Sequence, residues 1–306
     1  MFNFLINKYN INNDSIIKIS NKTYKIKTDD KSYIIKEVDD SLNKLYSSLS
    51  LLNFDVISLP LRGNNNLYVQ EEDDKFYIVE NYYSEEGKFN HEQKIPFFIS
   101  FITKLHKKTI TYIENSSMYQ ENILNYLDNR INKSSLEINA RIEVIERKDY
   151  YSPNDYYFMM HYNIFSMALE LASKHVNNLE NAFKDEESLR VSLTYQNFDF
   201  DHILLKQQKI ISLEKMAYTF ISYDLYDLIN NIKDSTFDIN SYIASYIKEN
   251  PLLEYEKEYL LCLLYSFTYY SFPSIKDDLT YLIRLVSYIN KIVKLENEVL
   301  FKQEND

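Results

Sequence analysis

The residues able to do chemistry are concentrated in one stretch, Leu193 to Met216, reading LTYQNFDFDHILLKQQKIISLEKM. It carries a carboxamide at Asn197, carboxylates at Asp199, Asp201 and Glu214, and an imidazole at His202. Around them the pattern is strand, tight loop, short strand, turn, strand. Such a layout suits transfer of a phosphoryl group, and a lysine, Lys36 in SYIIKEV, stands on a distant strand. That reaction needs a cation for the phosphates, a carboxylate that orients or deprotonates the acceptor hydroxyl, and oxygen ligands for Mg²⁺. The blander alternatives are a solvated loop for Asp199 and Asp201, a hydrogen-bonded loop histidine for His202, and a surface lysine at a strand end for Lys36.

Composition limits what can surround this stretch. The chain has 306 residues, 45% of them hydrophobic, enough to bury a core in one large domain or two smaller ones. Only 2 Gly (Gly63 and Gly87) and 5 Pro leave little material for Gly-rich phosphate loops, flexible linkers or a many-turned all-β fold. The single Cys262, in YLLCLLYSF, excludes an internal disulfide and a CxxC metal site and reads as a buried, inert thiol. A net charge of −11 argues against a nucleic-acid or acidic-membrane binder, whose affinity comes from neutralising phosphate. No window reaches about 18 uncharged apolar residues, and MFNFLINKYNINNDS lacks the apolar core and cleavage site of a secretory signal. No membrane span and a cytoplasmic residence are therefore expected. The 29 Tyr, beside abundant Asn, Ile and Lys, fit an AT-rich genome. The rival idea, oxidative cross-linking of exposed tyrosines in an insoluble assembly, fails if nearly all of them are buried.

The elements that must position the reactive residues follow in order. SIIKIS, KTYKIKT and SYIIKEV alternate with β-branched residues from Ser15 to Val38 and predict an antiparallel meander. Ser41 is a candidate N-cap for a helix carrying Leu42, Leu45, Leu49 and Leu52 and ending near Asn53. Val56 to Leu61, LYVQ and KFYIVE predict further strands, separated by turns at Gly63 to Asn66 and Glu71 to Asp74. After Glu80 the pattern is helical, with Pro96 starting PFFISFITKLHKKT. Two polar helices are expected at Ser117 to Asn132 and Leu136 to Arg147, and a long apolar one at Asp155 to Leu179. Beyond the reactive stretch, helices are expected at Tyr223 to Ile232, Ile239 to Lys248, Leu253 to Phe272 and Ile275 to Leu300. No fixed-period repeat is present.

Five segments, YKIKTDDKSYIIKEV, KFYIVENYY, ISFITKLHKKT, FMMHYNIFSMALELA and ENPLLEYEKEYLLCLL, run in an order that resembles the protein-kinase-like superfamily. The likeness is closer to its aminoglycoside and choline phosphotransferase branch, and within that to the CotS and YutH group of kinase-like spore coat proteins. In that resemblance the segments stand for the first hairpin, the last strand and hinge, the helix ending in Leu-His, the helix before the catalytic loop, and a C-terminal helix pair. It covers nearly the whole chain and implies an α+β, bilobal fold. A small antiparallel β-sheet lobe with one helix would span residues 1–83 and a larger, mainly helical lobe 84–306, with a hinge near 80–84.

The resemblance also assigns roles. Lys36 matches the phosphate-contacting lysine, but Leu42-Asn43-Lys44 offers no carboxylate for its usual helical partner. Glu80 and Tyr82 would meet a nucleotide at the hinge. The family's His-Gly-Asp loop start falls on Tyr195, Gln196 and Asn197, and an amide at 197 has no useful basicity. His202 replaces the Asn that offers oxygen to Mg²⁺, whereas imidazole suits softer ions. Glu214 stands for the metal-binding Asp with a methylene more, beside a Lys215 able to neutralise it. Asp199 and Asp201 are the nearby carboxylates that could substitute for the lost base. Tyr226-Asp227-Leu228 matches the Asp-Leu pair whose Asp braces the catalytic loop by accepting backbone N–H groups, so Asp227 is expected to be structural.

These replacements imply a catalytically inactive pseudokinase with a structural or binding role, by resemblance a spore coat component, with protein partners that include other coat proteins and no cofactor. The helices from Ser117 to Arg147 and the C-terminal KIVKLENEVLFKQEND are candidate docking surfaces. Two alternatives stand beside it. One is an atypical small-molecule phosphotransferase using ATP and Mg²⁺ through Lys36, Glu214 and Asp199 or Asp201. The other is a pseudokinase that binds nucleotide without turnover. A site filled by Tyr195, Phe198 and Met216 would favour the scaffold.

Overall fold

A computed structural model of the chain describes residues 8–11, 15–84, 89–232 and 237–301. Gly87 and the last five residues of the C-terminal docking candidate lie outside them. The chain divides into two compact units, Met1–Phe101 with Asn197–Met216, and Ile102–Gln196 with Ala217–Asp306. The class is α+β.

In the first unit the expected meander forms as β1 (Ser15–Lys18), β2 (Thr23–Lys27) and β3 (Ser32–Val38), followed by helix α1 (Leu42–Leu51), β4 (Gln70–Glu72) and β5 (Lys75–Asn81). The sheet order is β1-β2-β3-β5-β4, with each pair antiparallel. The register Lys36↔Ile78 and Ile34↔Glu80 puts these four side chains on one face. Ile26, Ile35, Tyr77 and Val79 lie on the other, where Ile11 covers them. The two-residue period thus separates a dry face from the face that carries the charges.

Three local expectations need correction. Ser41 makes no side-chain cap to α1 and is itself helical in backbone. Val56 to Leu61 forms no strand; it makes the bridge Ile57↔Ile210, and Leu61 N donates to Val79 O at 2.7 Å. Pro96 lies inside helix α2 (His91–Thr109), which starts five residues earlier. The start is set by Asn90 and Gln93, a reciprocal cap in which Asn90 Oδ1 accepts from Glu92 N and Gln93 Oε1 accepts from Asn90 N.

The second unit contains β6 (Thr111–Glu114), α3 (Ser117–Glu146), α4 (Pro153–Lys184), β7 (Ser188–Thr194), β10 (Ala217–Thr219), α5 (Ser222–Asn231), α6 (Ile239–Glu249), α7 (Glu254–Tyr265) and α8 (Ile275–Leu295). The short hairpin β8 (Ile203–Leu204) and β9 (Lys209–Ile210) belongs to the first unit. Helix α4 packs on α3, α7 and α8. Strand β6, unanticipated from sequence, pairs with β7 and completes a three-stranded sheet in the order β10-β7-β6. The two polar helices expected over 117–147 are one continuous helix, because the break expected at Lys133-Ser134-Ser135 is filled by a buried Ser134 whose hydroxyl donates to the Phe267 carbonyl. That helix buries one stripe, Leu127, Ile131, Ile138 and Ile145, as its pattern implies. Helix α7 ends at Tyr265, seven residues short of the expected Phe272.

Cys262 is fully buried, and burial, with Glu258 nearby, pushes its thiol well above the ordinary value. Tyrosines are found at both extremes, Tyr46 and Tyr195 at 0% exposure and Tyr150 at 91%, so the condition that would eliminate surface cross-linking is not met. No helix among the described residues is long and apolar enough to cross a membrane.

Candidate functional site

Three distant stretches bring charge together in the first unit. Lys36 Nζ lies 2.9 Å from Glu80 Oε2 and 3.2 Å from Ser212 Oγ, and it also closes on Glu214 Oε1. Lys36 and Glu80 meet because they project from adjacent strands on the same face. Glu214 arrives through the chain that leaves β9, where Ser212 takes a left-handed backbone with φ of 60°. The lysine is 18% exposed in its side chain and Glu80 only 8%. Burial works against the charge on Lys36, but Glu80 and Glu214 outweigh it and hold its pKa above the ordinary lysine value. Burial raises the Glu80 carboxyl, and the Glu214 charge adds to that, against the pull of Lys36.

Helix α1 supplies no carboxylate to the lysine, as its sequence predicts. It presents Tyr46 instead, fully buried, with burial first and then the charges of Glu214 and Glu80 pushing the phenol upward. Its hydroxyl and the Oε1 of Glu80 are buried polar atoms with no hydrogen-bond partner among the described residues. The resemblance assigns Glu80 to a nucleotide; in the structure its Oε2 pairs with Lys36. Tyr82, on the same face, has its ring under Lys25 Nζ at 3.4 Å and donates its backbone N–H to Ser32 O.

The loop from Asn197 is held by its own hydrogen bonds. Asn197 Nδ2 donates to Ser212 O at 2.9 Å, and the Asn197 carbonyl lies 2.8 Å from His202 Nδ1, which therefore carries the proton. Asp199 and Asp201 are exposed, and Asp199 accepts from Asp201 N at 2.8 Å, capping the turn Phe200–His202. Helix α2 pins the loop at three points: Phe98 meets Phe198 edge-on at 4.6 Å, His91 stacks on Phe200 at 4.0 Å, and Lys94 Nζ donates to Phe200 O at 2.9 Å. Phe198, Met216 and, in the second unit, Tyr195 are all buried.

In the second unit the brace expected of Asp227 is made by Asp224. Its oxygens accept from Tyr195 N at 2.9 Å and Gln196 N at 2.9 Å, and Oδ2 lies 3.0 Å from His106 Nε2. His106 Nδ1 lies 2.7 Å from Tyr246 Oη. Asp224 is 0% exposed. Asp227 is half-buried, and its Oδ1 accepts from Asn231 Nδ2 at 3.1 Å. The misassignment has a visible source, since the tripeptide Tyr-Asp-Leu occurs twice in succession, at 223–225 and 226–228. Three residues along a helix rotate a side chain off the face by about 60°, and only the first copy faces inward. His106, the His of the Leu-His that ends the helix pattern, is the partner of Asp224 that the sequence left without a role.

The donors available where Mg²⁺ would sit are the His202 imidazole and a Glu214 carboxylate already paired with Lys36. That set does not fit the oxygen octahedron of Mg²⁺. Among the described residues no group of three or more His, Cys, Asp or Glu side chains converges as a metal site.

No protein-family model matches the chain and no curated protein matches it. Solved structures do. An aminoglycoside phosphotransferase from Alicyclobacillus acidocaldarius aligns with a TM-score of 0.67 at 11% identity, covering 95% of this chain and 92% of that one. A spectinomycin phosphotransferase aligns at 0.53 and 12% identity, covering 96% of each. A microcompartment-associated aminopropanol kinase aligns at 0.50 and 11%, covering 90% and 89%. The fold is the protein-kinase-like fold of small-molecule phosphotransferases, as the order of segments implies; at these identities the likeness is one of fold.

Proposed function

We propose that this chain is a kinase-fold protein that binds a nucleoside di- or triphosphate at Lys36 and does not activate an acceptor hydroxyl. The observation that carries the reading is the asymmetry of the site. Its phosphate-side cation is retained and oriented by two carboxylates, whereas the position of the base holds Asn197, whose amide is committed to Ser212 O. One neighbour of the same fold supports the nucleotide half: the spectinomycin phosphotransferase is known in complexes with ADP and with AMP.

The test is thermal denaturation with ATP and ADP, each with and without MgCl₂. A ligand at 100 times its dissociation constant stabilises by roughly 2.7 kcal/mol, and Lys36→Met should abolish that shift. A flat response in the wild type sinks the nucleotide half and leaves a purely structural protein. That outcome accords with the CotS-like resemblance, a spore coat or spore-assembly component with protein partners.

A second reading, a working small-molecule phosphotransferase, is favoured by the neighbours' own activities, phosphorylation of an aminoglycoside, spectinomycin or aminopropanol. ATP turnover over a panel of hydroxyl and amine acceptors decides between them. Turnover lost in Glu214→Ala would overturn the inactive reading.

A further inference from the structure

The second unit contains a cavity of about 510 Å³ bordered by α3, α5, α8 and the end of α7. Small-ligand sites run to about 300–1,000 Å³. Its wall combines the rings of Tyr226, Tyr281 and Tyr288 with Arg130, Arg284 and Asp277. Nothing in the proposed nucleotide site uses it.

Arg130 is the informative residue. Two other arginines held in the interior of this unit each grip a carboxylate: Arg141 reaches Asp278 with two bonds of 3.0 and 2.6 Å, and Arg190 holds Glu256 with two, one of them 3.0 Å. Among the described residues Arg130 donates only to neutral oxygens, Ser266 Oγ at 3.1 Å, Tyr126 Oη at 3.2 Å, Tyr226 Oη at 3.1 Å and Ser266 O at 3.0 Å, with a longer contact of 3.5 Å to Leu263 O. Nη1 has two N–H groups and a single partner among the described residues, so one donor is unspent. Arg130 is half-buried, with its guanidinium over the rings of Tyr126 at 5.7 Å and Tyr226 at 5.5 Å and no carboxylate among its partners, and it stands at the wall of an open cavity.

We infer that this cavity binds a small aromatic acid, its carboxylate received by Arg130 and its ring lying among Tyr226, Tyr281 and Tyr288. A planar fork facing a carboxylate gives charge-assisted hydrogen bonds, and tyrosine faces give offset stacking for a ring. An ammonium ligand would meet two guanidiniums, Arg130 and Arg284, against one carboxylate in the wall, Asp277. The chain's net charge of −11 does not decide the matter, because exposed charges are screened beyond about 10 Å at 0.1 M salt; the local cation does.

The test uses the full chain and three matched probes, phenylacetate, benzyl alcohol and benzylammonium, followed by saturation-transfer NMR and calorimetry. Phenylacetate should bind at least tenfold more tightly than benzyl alcohol, with benzylammonium weakest. Arg130→Gln should remove the tenfold preference. Thr280→Phe, an exposed position that lines the cavity and leaves Arg130 intact, should block all three probes, and it decides the matter if Arg130→Gln does not fold. Saturating ADP should leave phenylacetate binding unchanged, which separates this site from the nucleotide reading. Benzylammonium binding as tightly as phenylacetate, undiminished binding in Thr280→Phe, or absence of any phenylacetate binding overturns the proposal.

Discussion

Lys36 Nζ stands 2.9 Å from Glu80 Oε2, so the carboxylate that orients this lysine comes from the adjacent strand of its own sheet and not from the helix beside it. Glu214 closes on the same ammonium from the loop after β9. One cation therefore separates two carboxylates, and removing it leaves like charges facing each other in a largely buried space.

Lys36→Met is expected to cost on the order of 3–5 kcal/mol, the usual range for a buried charge left unpaired. The cost should depend on pH. The Glu80 carboxyl is already raised by burial and by Glu214, and losing Lys36 raises it further. A raised carboxyl binds its proton more readily in the folded state, so stability falls as pH rises above the ordinary value of 4.5. The penalty of Lys36→Met should therefore be largest near neutral pH and shrink toward pH 4.5, and Glu80→Gln in the same chain should restore much of it. Urea denaturation of the two single variants and the double variant at several pH values reads this; additive effects would show that the pair is not coupled.

Asp224 and Asp227 make a matched pair for mutation, since they occupy the same tripeptide in one helix. Asp224→Asn replaces an anion that accepts two backbone N–H groups and faces His106. It should destabilise by about 2–4 kcal/mol, from hydrogen bonds to a charged group worth roughly 1.5–3 kcal/mol each. Asp227→Asn should stay within about 0.5 kcal/mol, as for other partly exposed positions. Equal effects in calorimetry would remove the distinction between the two.

Much of this was legible from residue order, and the rest failed for local reasons. The meander was readable because β-branched alternation has a period of two and the sheet face is set by it. Lys36 and Glu214, which the resemblance assigns to one site, come into contact in the structure. The Glu80 pairing was not readable, since it depends on the register of β3 against β5, which no local pattern fixes. The length of α3 was misjudged because Ser134 looks like a helix break until a carbonyl from far along the chain accepts its hydroxyl. Asp224 was missed because two identical tripeptides differ only in which one the fold turns inward.

Asn197→Asp is the substitution that would nominally restore a base. In this structure it should harm the protein instead. The Asn197 amide donates to Ser212 O at 2.9 Å, and a carboxylate oxygen in its place would face that carbonyl with no proton between them. A loss of about 1–3 kcal/mol is expected, the cost of an unsatisfied buried polar group, with no gain in ATP turnover. A variant that is as stable as the parent and hydrolyses or transfers phosphate would show that the loop needs only its carboxylate to work.

His175 offers a pH test in the second unit. Its Nδ1 lies 2.6 Å from Glu258 Oε2, its Nε2 lies 3.4 Å from Glu296 Oε1 without hydrogen-bond geometry, and its ring stacks parallel to Tyr265. Burial alone would lower its pKa, but the two carboxylates outweigh it and the net shift is upward from 6.5. A histidine whose folded pKa is raised contributes stability that is fully present below the unfolded value and lost as pH rises through the folded one. Glu296 runs the other way: burial opposes it, yet His175 and Tyr265 hold it below 4.5, so its contribution is lost as pH falls through that lowered value. His175→Gln should therefore destabilise most between about pH 5 and 6.5, by roughly 3 kcal/mol for a broken buried pair, and the gap to wild type should narrow steadily toward pH 9. Melting temperatures of the two proteins across that range are the measurement, and a gap that stays constant with pH would mean that His175 is held neutral between its carboxylates.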